Sequence, residues 1–377
     1  MRATCDIAIV GAGIVGAACA AECSRAGLKV MVLDRGPIGG SATAAGMGHI
    51  VVMDDSEAQF ALTSFSRRLW HMLANELPAD AEYNRCGTLW VAADEQEMTE
   101  VRRKEGFYGD HGVKTEAWDA SALATAEPNL CRNLIGGLCV PEDAVIYPPA
   151  AARFLLEQAQ AHRAEVRTGL EVRSLADNGD VILADNSRLS AGRVINAAGC
   201  GSPALTPNLP VRARKGHLVV TDRYPGYVRH QIVELGYLKS AHALSDDSVA
   251  FNVQPRQTGQ VLIGSSRQFG RDGTEVEPGL VRRMLRRAQE YLPSLGRLSA
   301  IRSWAGHRPA TPDKLPLIGP SLASDRVWLA TGHEGLGITA ALATGRLIAD
   351  LILGRATEIP IQPYLPARLA QGAMSHG

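Results

Sequence analysis

The residues whose types and spacing could do chemistry stand at the start of the chain. Gly11-Ala12-Gly13-Ile14-Val15-Gly16 follows directly on the apolar run Asp6-Ile7-Ala8-Ile9-Val10. A second apolar run, Lys29-Val30-Met31-Val32-Leu33, ends on Asp34. Three glycines at this spacing answer three demands of a bound dinucleotide. Gly11 permits a tight turn, Gly13 lets a pyrophosphate approach the backbone, and Gly16 lets a helix pack closely on a strand. The helix that starts here turns its free N–H groups and positive dipole end toward phosphate. Asp34, eighteen residues beyond Gly16, is placed to accept hydrogen bonds from the ribose hydroxyls. NAD and FAD share this chemistry, so the turn names a cofactor class and no more.

The elements that must position these residues form a βαβ unit. Ile14, Val15, Ala18, Cys19 and Ala21 give the helix a buried face, and Gly27 stands where its C-terminal cap belongs. With 377 residues the chain can hold two domains with cores of their own. Its 39 basic and 39 acidic residues give zero formal net charge, which disfavours nucleic acid and anionic membrane surfaces as partners. The seven cysteines form no CxxC pair and no metal-like cluster, so reduced thiols in the cytoplasm are expected. No signal segment is read at the N-terminus, because its apolar run is the first strand. The longest apolar stretch, 336–353, carries Arg346 and Asp350, which argues against a membrane span.

Beyond Asp34 and Arg35, the stretch Ser41-Ala42-Thr43-Ala44-Ala45-Gly46-Met47-Gly48-His49 has no helical or strand period, and would let backbone lie flat against something planar. Ser56-Glu57-Ala58-Gln59 reads as a capping box, opening a helix that Pro78 ends. A strand at 83–92, a charged helix at 94–105 and a helix reopened by Pro148-Pro149 follow. Val172 and its neighbours lead through Asp177-Asn178-Gly179 into a hairpin. The strand ending Asn196-Ala197-Ala198-Gly199 is a second point of close backbone approach. Residues 211–300 read as an antiparallel sheet roofing a cavity, with a helix near 279–291 whose Arg282, Arg283, Arg286 and Arg287 read as a solvated face. Near the end, Gly332-His333-Glu334-Gly335-Leu336-Gly337 opens a long apolar helix with Ile338, a second helix terminus for a ligand.

Together the glycine turn with Asp34, the 41–49 loop, Asn196-Ala197-Ala198-Gly199, Gly306-His307-Arg308-Pro309 and Gly332–Gly337 resemble the flavin-dependent D-amino-acid oxidase superfamily, which includes glycine and sarcosine oxidases. The nearer resemblance is to the beta-subunit group of D-hydroxyproline dehydrogenase, opine oxidase and hydrogen cyanide synthase. Gly48-His49-Ile50-Val51-Val52-Met53-Asp54-Asp55-Ser56 looks most like the D-hydroxyproline member. The resemblance implies an α/β fold: a Rossmann-type FAD-binding domain of glutathione-reductase type, with a second α+β substrate domain on a mostly antiparallel sheet. The expected boundaries are 1–80, 146–209 and 305–377 for the first, and 81–145 and 210–304 for the second. FAD displaces NAD. Val172 would meet the adenine, Ser41 to Met47 the pyrophosphate and isoalloxazine, and Gly335, Leu336 and Gly337 the flavin N1–C2=O edge. Ala198, Gly199, His307 and Ile338 complete the expected cofactor contacts.

By the same resemblance Arg308 grips a substrate carboxylate, for which a planar guanidinium fork is suited. Tyr237, His49 and His333 are further candidates beside the reacting atoms, with Glu334 in the flavin's neighbourhood. No cysteine lies in Gly306–Asp313, where sarcosine oxidase attaches its flavin, so non-covalent FAD is expected. The implied reaction is oxidation of an amino or imino acid, cis-4-hydroxy-D-proline first. Oxidation of glycine, sarcosine or D-amino acids by oxygen, or service as a non-catalytic FAD subunit, stands as the alternative. Ferredoxin-like and flavoprotein subunits are the implied partners, in a cytoplasmic complex peripherally linked to the respiratory chain.

Overall fold

The computed structural model describes residues 4–236 and 247–369; Tyr237 lies outside the described residues. Cys5–Val10 runs through the centre of the first sheet, parallel to Val30–Asp34 on one side and Arg188–Asn196 on the other. Glu165–Thr168 and Val327–Thr331 extend it in parallel, and Leu317–Pro320 closes one edge antiparallel. The first strand is hydrophobic on both faces because both are covered. Ile7 and Ile9 face the helices, whereas Ala8 and Val10 face the hairpin of Val172–Leu175 and Asp180–Leu183. The chain leaves the first strand toward one neighbour while the other neighbour comes from far along the sequence. The glycine turn therefore sits at a topological switch point, where α/β sheets bind ligands.

The helix Ile14–Arg25 is buried almost all round, as its run of Ala and Cys requires. It packs on Pro148–Ala161 and on the C-terminal helix Gly337–Ile352. At the second contact a Cβ on Gly345 would lie 2.5 Å from the Ala18 carbonyl, so only glycine permits that approach. The C-terminal helix, with the turn before it, is long and apolar enough to cross a membrane. Here that apolar surface packs against Ile14–Arg25 and Glu57–Leu73, while Arg346 pairs with Glu22 at 2.8 Å.

The second sheet runs in the order Ala300–Ala310, Arg212–Arg223, Gln260–Phe269, Asp247–Pro255, Gln231–Glu234, Thr88–Ala92, Gly136–Val140, Glu116–Asp119. Only Gln231–Glu234 and Thr88–Ala92 pair in parallel among these described strands. Helix Pro278–Tyr291 covers it with Leu280, Met284 and Ala288, and Arg282, Arg283 and Arg286 face solvent as expected. Arg287 departs from that expectation: it turns inward to Glu234, with Nε 3.0 Å from Oε2, and this carboxylate also accepts from Tyr291. Strand Ala300–Ala310 runs unbroken through residue 305, so Arg308 belongs to the second sheet.

The stretch 41–49, expected to be irregular, contains one helical turn at Ser41–Ala45 and a two-residue strand, His49–Ile50, paired with Ala144–Val145. Tertiary contacts decide this. The Thr43 hydroxyl accepts the Ile14 N–H at 3.0 Å, fixing the turn against the first helix.

Candidate active site

One cavity of about 1140 Å³ lies between the two sheets, walled by the glycine turn, the 41–49 segment, the end of strand Arg188–Asn196 and the cavity-facing strands of the second sheet. Gly11, Gly13, Ile14, Val15, Asp34, Arg35, Ser41, Ala42, Thr43, Ala45, Gly46 and Met47 all reach it. So do His49, Val172, Ala198, Gly199, His307, Arg308, His333, Glu334, Gly335, Gly337 and Ile338. Of the expected residues that are described, Gly16, Ala44 and Leu336 are not in its wall. Gly16 serves packing: a Cβ there would lie 1.9 Å from the Gly11 carbonyl oxygen. Ala44 faces a small adjoining pocket beside Tyr147 and Trp304. Leu336 closes the short turn before the C-terminal helix, donating its N–H to the His333 carbonyl at 3.0 Å.

The cavity is chemically matched to a dinucleotide. Helix Ile14–Arg25 has no side-chain cap at Gly13 and no acidic residue in its first turn. Thr43 takes only the Ile14 N–H, so the dipole end and the N–H groups that follow are left for an anion. Gly11 holds φ +119°, and its Cβ would sit 2.4 Å from the Ala197 carbonyl, so the first glycine is dictated by both conformation and space. A side chain added at Gly199 would project into open space, and one at Gly335 would meet only Arg308 Cδ, at 3.9 Å, which leaves a cradle for a flat ligand. Asp34 accepts the Ala12 N–H at 2.6 Å and the Gly36 N–H at 2.7 Å. Each carboxylate oxygen retains a lone pair for a ribose hydroxyl. Helix Gly337–Ile352 offers the second N-terminus, also without a side-chain cap.

Asn196 holds the facing turn in shape. Its amide donates to the Ser202 carbonyl at 3.0 Å and to Thr206 Oγ1 at 2.9 Å, and the Ser202 hydroxyl continues to Thr331.

At the other end, Arg308 lies across Gly216 on the neighbouring strand. A Cβ on Gly216 would meet Arg308 Nη1 at 2.4 Å. Arg308 Nη1 donates to the Ser266 carbonyl at 3.1 Å. His217 braces that serine: its backbone N–H and Nδ1 each lie 2.9 Å from Ser266 Oγ, while its Nε2 accepts the Glu277 N–H. Burial pushes the Arg308 guanidinium down to about 10, which leaves it charged at neutral pH. Among the described residues no carboxylate lies within ion-pair distance of Arg308. A cation drawn half out of water without an anion is costly, so the site is built for an anionic ligand group.

Glu334, at φ +50°, forms an ion pair with Arg214 and joins the second sheet to the turn before the C-terminal helix. Burial, reinforced by Arg308, pushes His49 down to about 4. Burial alone pushes His333 down to about 3. Both imidazoles are neutral near pH 7. Thr344 gives its hydroxyl proton to the Ala340 carbonyl, so it accepts from His333 Nε2–H at 2.9 Å. His333 thus ties the turn to the C-terminal helix. His307 Nε2 donates to the Arg271 carbonyl at 2.9 Å, in the loop that rims the cavity at Asp272 and Thr274.

Sequence reasoning did not single out Gly216, Ser266, Asn252, Gln254 or Arg214. Their only signal is strand register, which pairs Arg214 with Arg308 and Gly216 with Gly306.

Residues 6–351 match the DAO family, described as FAD dependent oxidoreductase. Glycine oxidase of Pseudomonas aeruginosa is 30% identical over 96% of this chain and 98% of its own. The hydrogen cyanide synthase subunit HcnC of the same species is 27% identical, covering 98% and 97%. The crystal structure of L-proline dehydrogenase from P. horikoshii shares the fold with a TM-score of 0.88, at 22% identity over 99% of both chains. With the two helix termini and the glycine-lined cavity, these matches establish that the chain belongs to the DAO family of FAD-dependent oxidoreductases and that its cofactor is FAD.

Proposed function

We propose that this chain is an amino- or imino-acid dehydrogenase whose preferred substrate is cis-4-hydroxy-D-proline and whose product is a pyrroline carboxylate. The observation that carries the reading is Arg308, a half-buried cation at the cavity wall with no carboxylate partner among the described residues. It matches the α-carboxylate that every amino acid carries, and two parallel charge-assisted hydrogen bonds would fix that group. When bound, FAD supplies a two-electron acceptor: the substrate loses its α-hydrogen with the bonding pair and the nitrogen loses a proton, giving C=N. The neutral His49 beside Arg308 adds no competing charge near the amine, and positioning supplies the catalysis.

A second reading is oxidation of glycine, sarcosine or a D-amino acid with oxygen as acceptor, favoured by the likeness to Pseudomonas aeruginosa glycine oxidase. The likeness to a hydrogen cyanide synthase subunit supports a hetero-oligomer, with ferredoxin-like and flavoprotein partners taking the electrons in the cytoplasm and passing them to the respiratory chain. The carboxylate clamp speaks against a purely structural FAD subunit.

The deciding experiment is an anaerobic panel of D- and L-amino acids and hydroxyprolines, followed by bleaching of the bound flavin, then reoxidation by oxygen or a dye. Rapid bleaching by cis-4-hydroxy-D-proline with reoxidation by the dye supports the first reading. Bleaching by glycine and none by the hydroxyproline overturns it. Acid precipitation should release the flavin, since no cysteine lies in Gly306–Asp313.

A further inference from the structure

We infer that Asn252 is the second grip on the substrate: its side-chain carbonyl receives an N–H of the substrate amine while Arg308 holds the carboxylate. This rests on the reading that the substrate is an amino or imino acid. Asn252 is 9% exposed, lies on strand Asp247–Pro255 and reaches the cavity wall. Its Oδ1 is buried with no hydrogen-bond partner. Buried polar atoms are almost always paired, and one left unmade on a cavity wall is a place for a ligand donor.

Its placement suits the amine. Two residues along, on the same face of the strand, Gln254 donates to the Met47 carbonyl at 2.8 Å, so this face is turned toward the 46–49 segment. Asn252 pairs with Gly264 on the next strand, where Ser265 also lines the cavity and the Ser266 carbonyl holds Arg308. The two grips therefore enter one space from one sheet. His49 Nε2 and Gln254 Oε1 are also buried without partners, but those two side chains face each other. An amide oxygen only accepts, so it meets a group that carries hydrogen, which a carboxylate does not. One-point attachment through the carboxylate leaves the bond to the α-carbon free to rotate. A second contact at nitrogen fixes where the α-hydrogen points.

The test uses the FAD-loaded enzyme, with anaerobic stopped-flow reduction of the flavin by D-proline and by cis-4-hydroxy-D-proline across pH. The titrating group followed is the substrate amine; the charged and titratable side chains around that cavity are Arg308, His49, His307, Asp272, His333 and Glu334, with Asp34, Arg35, Glu171, Arg173 and Cys200 also in its wall. Asn252→Leu should slow flavin reduction by both substrates about 100-fold while the flavin spectrum stays that of wild type. Asn252→Asp, which keeps the shape and adds charge, should favour the ammonium and move the rising limb of the profile up by roughly 1 unit or more. Wild-type rates and an unmoved limb in both variants would overturn the assignment. So would a loss confined to the hydroxylated substrate, which would give Oδ1 to the ring hydroxyl. If no amino or imino acid reduces the wild-type flavin, the substrate class itself fails, an outcome distinct from unchanged variants of an active enzyme.

Discussion

Arg308 shows how much a single side chain takes from its surroundings. Its charge is held by burial against the Ser266 carbonyl rather than by an opposite charge, so the ligand must complete the pair. Arg308→Met should therefore retain FAD but lose about 30- to 4,000-fold in kcat/KM for amino-acid substrates, the cost of leaving a buried charge partner unmatched. Steady-state kinetics on FAD-saturated protein checks this. The buried His333 gives a second expectation. Its imidazole is held down to about 3, whereas an unfolded-chain histidine titrates near 6.5. Below that value the unfolded chain binds the proton first, so stability is complete above about pH 6.5 and lost as pH falls toward 3. At pH 5 the loss should be ~2 kcal/mol, and His333→Gln should flatten the fall in Tm between pH 7 and pH 5.

Strand pairing is what gives Arg308 its place. Arg212–Arg223 and Ala300–Ala310 pair antiparallel, with Gly216 opposite Gly306 and Arg214 opposite Arg308. Gly216 is needed because the guanidinium occupies the space of its missing side chain. Gly216→Ala is expected to copy the Arg308→Met phenotype: normal flavin absorbance, with kcat/KM lowered at least about 10-fold, because a shift of one ångström in a clamp can cost 100-fold. Wild-type kinetics in this variant would mean the guanidinium is not held across Gly216 in the working enzyme. Gly306 shows the same logic toward the cofactor loop, since a Cβ there would lie 2.3 Å from Ala45 Cβ. Gly216 looks like an ordinary strand residue in the sequence, because the atoms that forbid a side chain come from a distant segment.

At the scale of the molecule, the cavity is shared. The first sheet supplies the glycine turn and both helix N-termini, and the second supplies Arg308, Asn252 and Ser265. FAD bound there stabilises whatever it touches by mass action. Free FAD at 100 times its Kd should raise stability by ~2.7 kcal/mol, read as a concentration-dependent rise in Tm of the whole chain. A Tm insensitive to FAD would contradict the placement of the cofactor between the two sheets.

The sequence by itself determined the dinucleotide grip, because Gly11–Asp34 is a contiguous unit whose conformational demands are local. It also carried the main elements: the Pro148 helix, the hairpin after Val172, and the buried C-terminal helix. Tertiary structure alone decided the rest. It made His333 an anchor, turned Arg287 inward, and folded Ser41–Ala45 into a helical turn docked on the first helix through Thr43. It also brought Asn252 and Gly216 to Arg308's cavity from separate strands. Register and burial are properties of strand pairs, and no single segment of the chain encodes them.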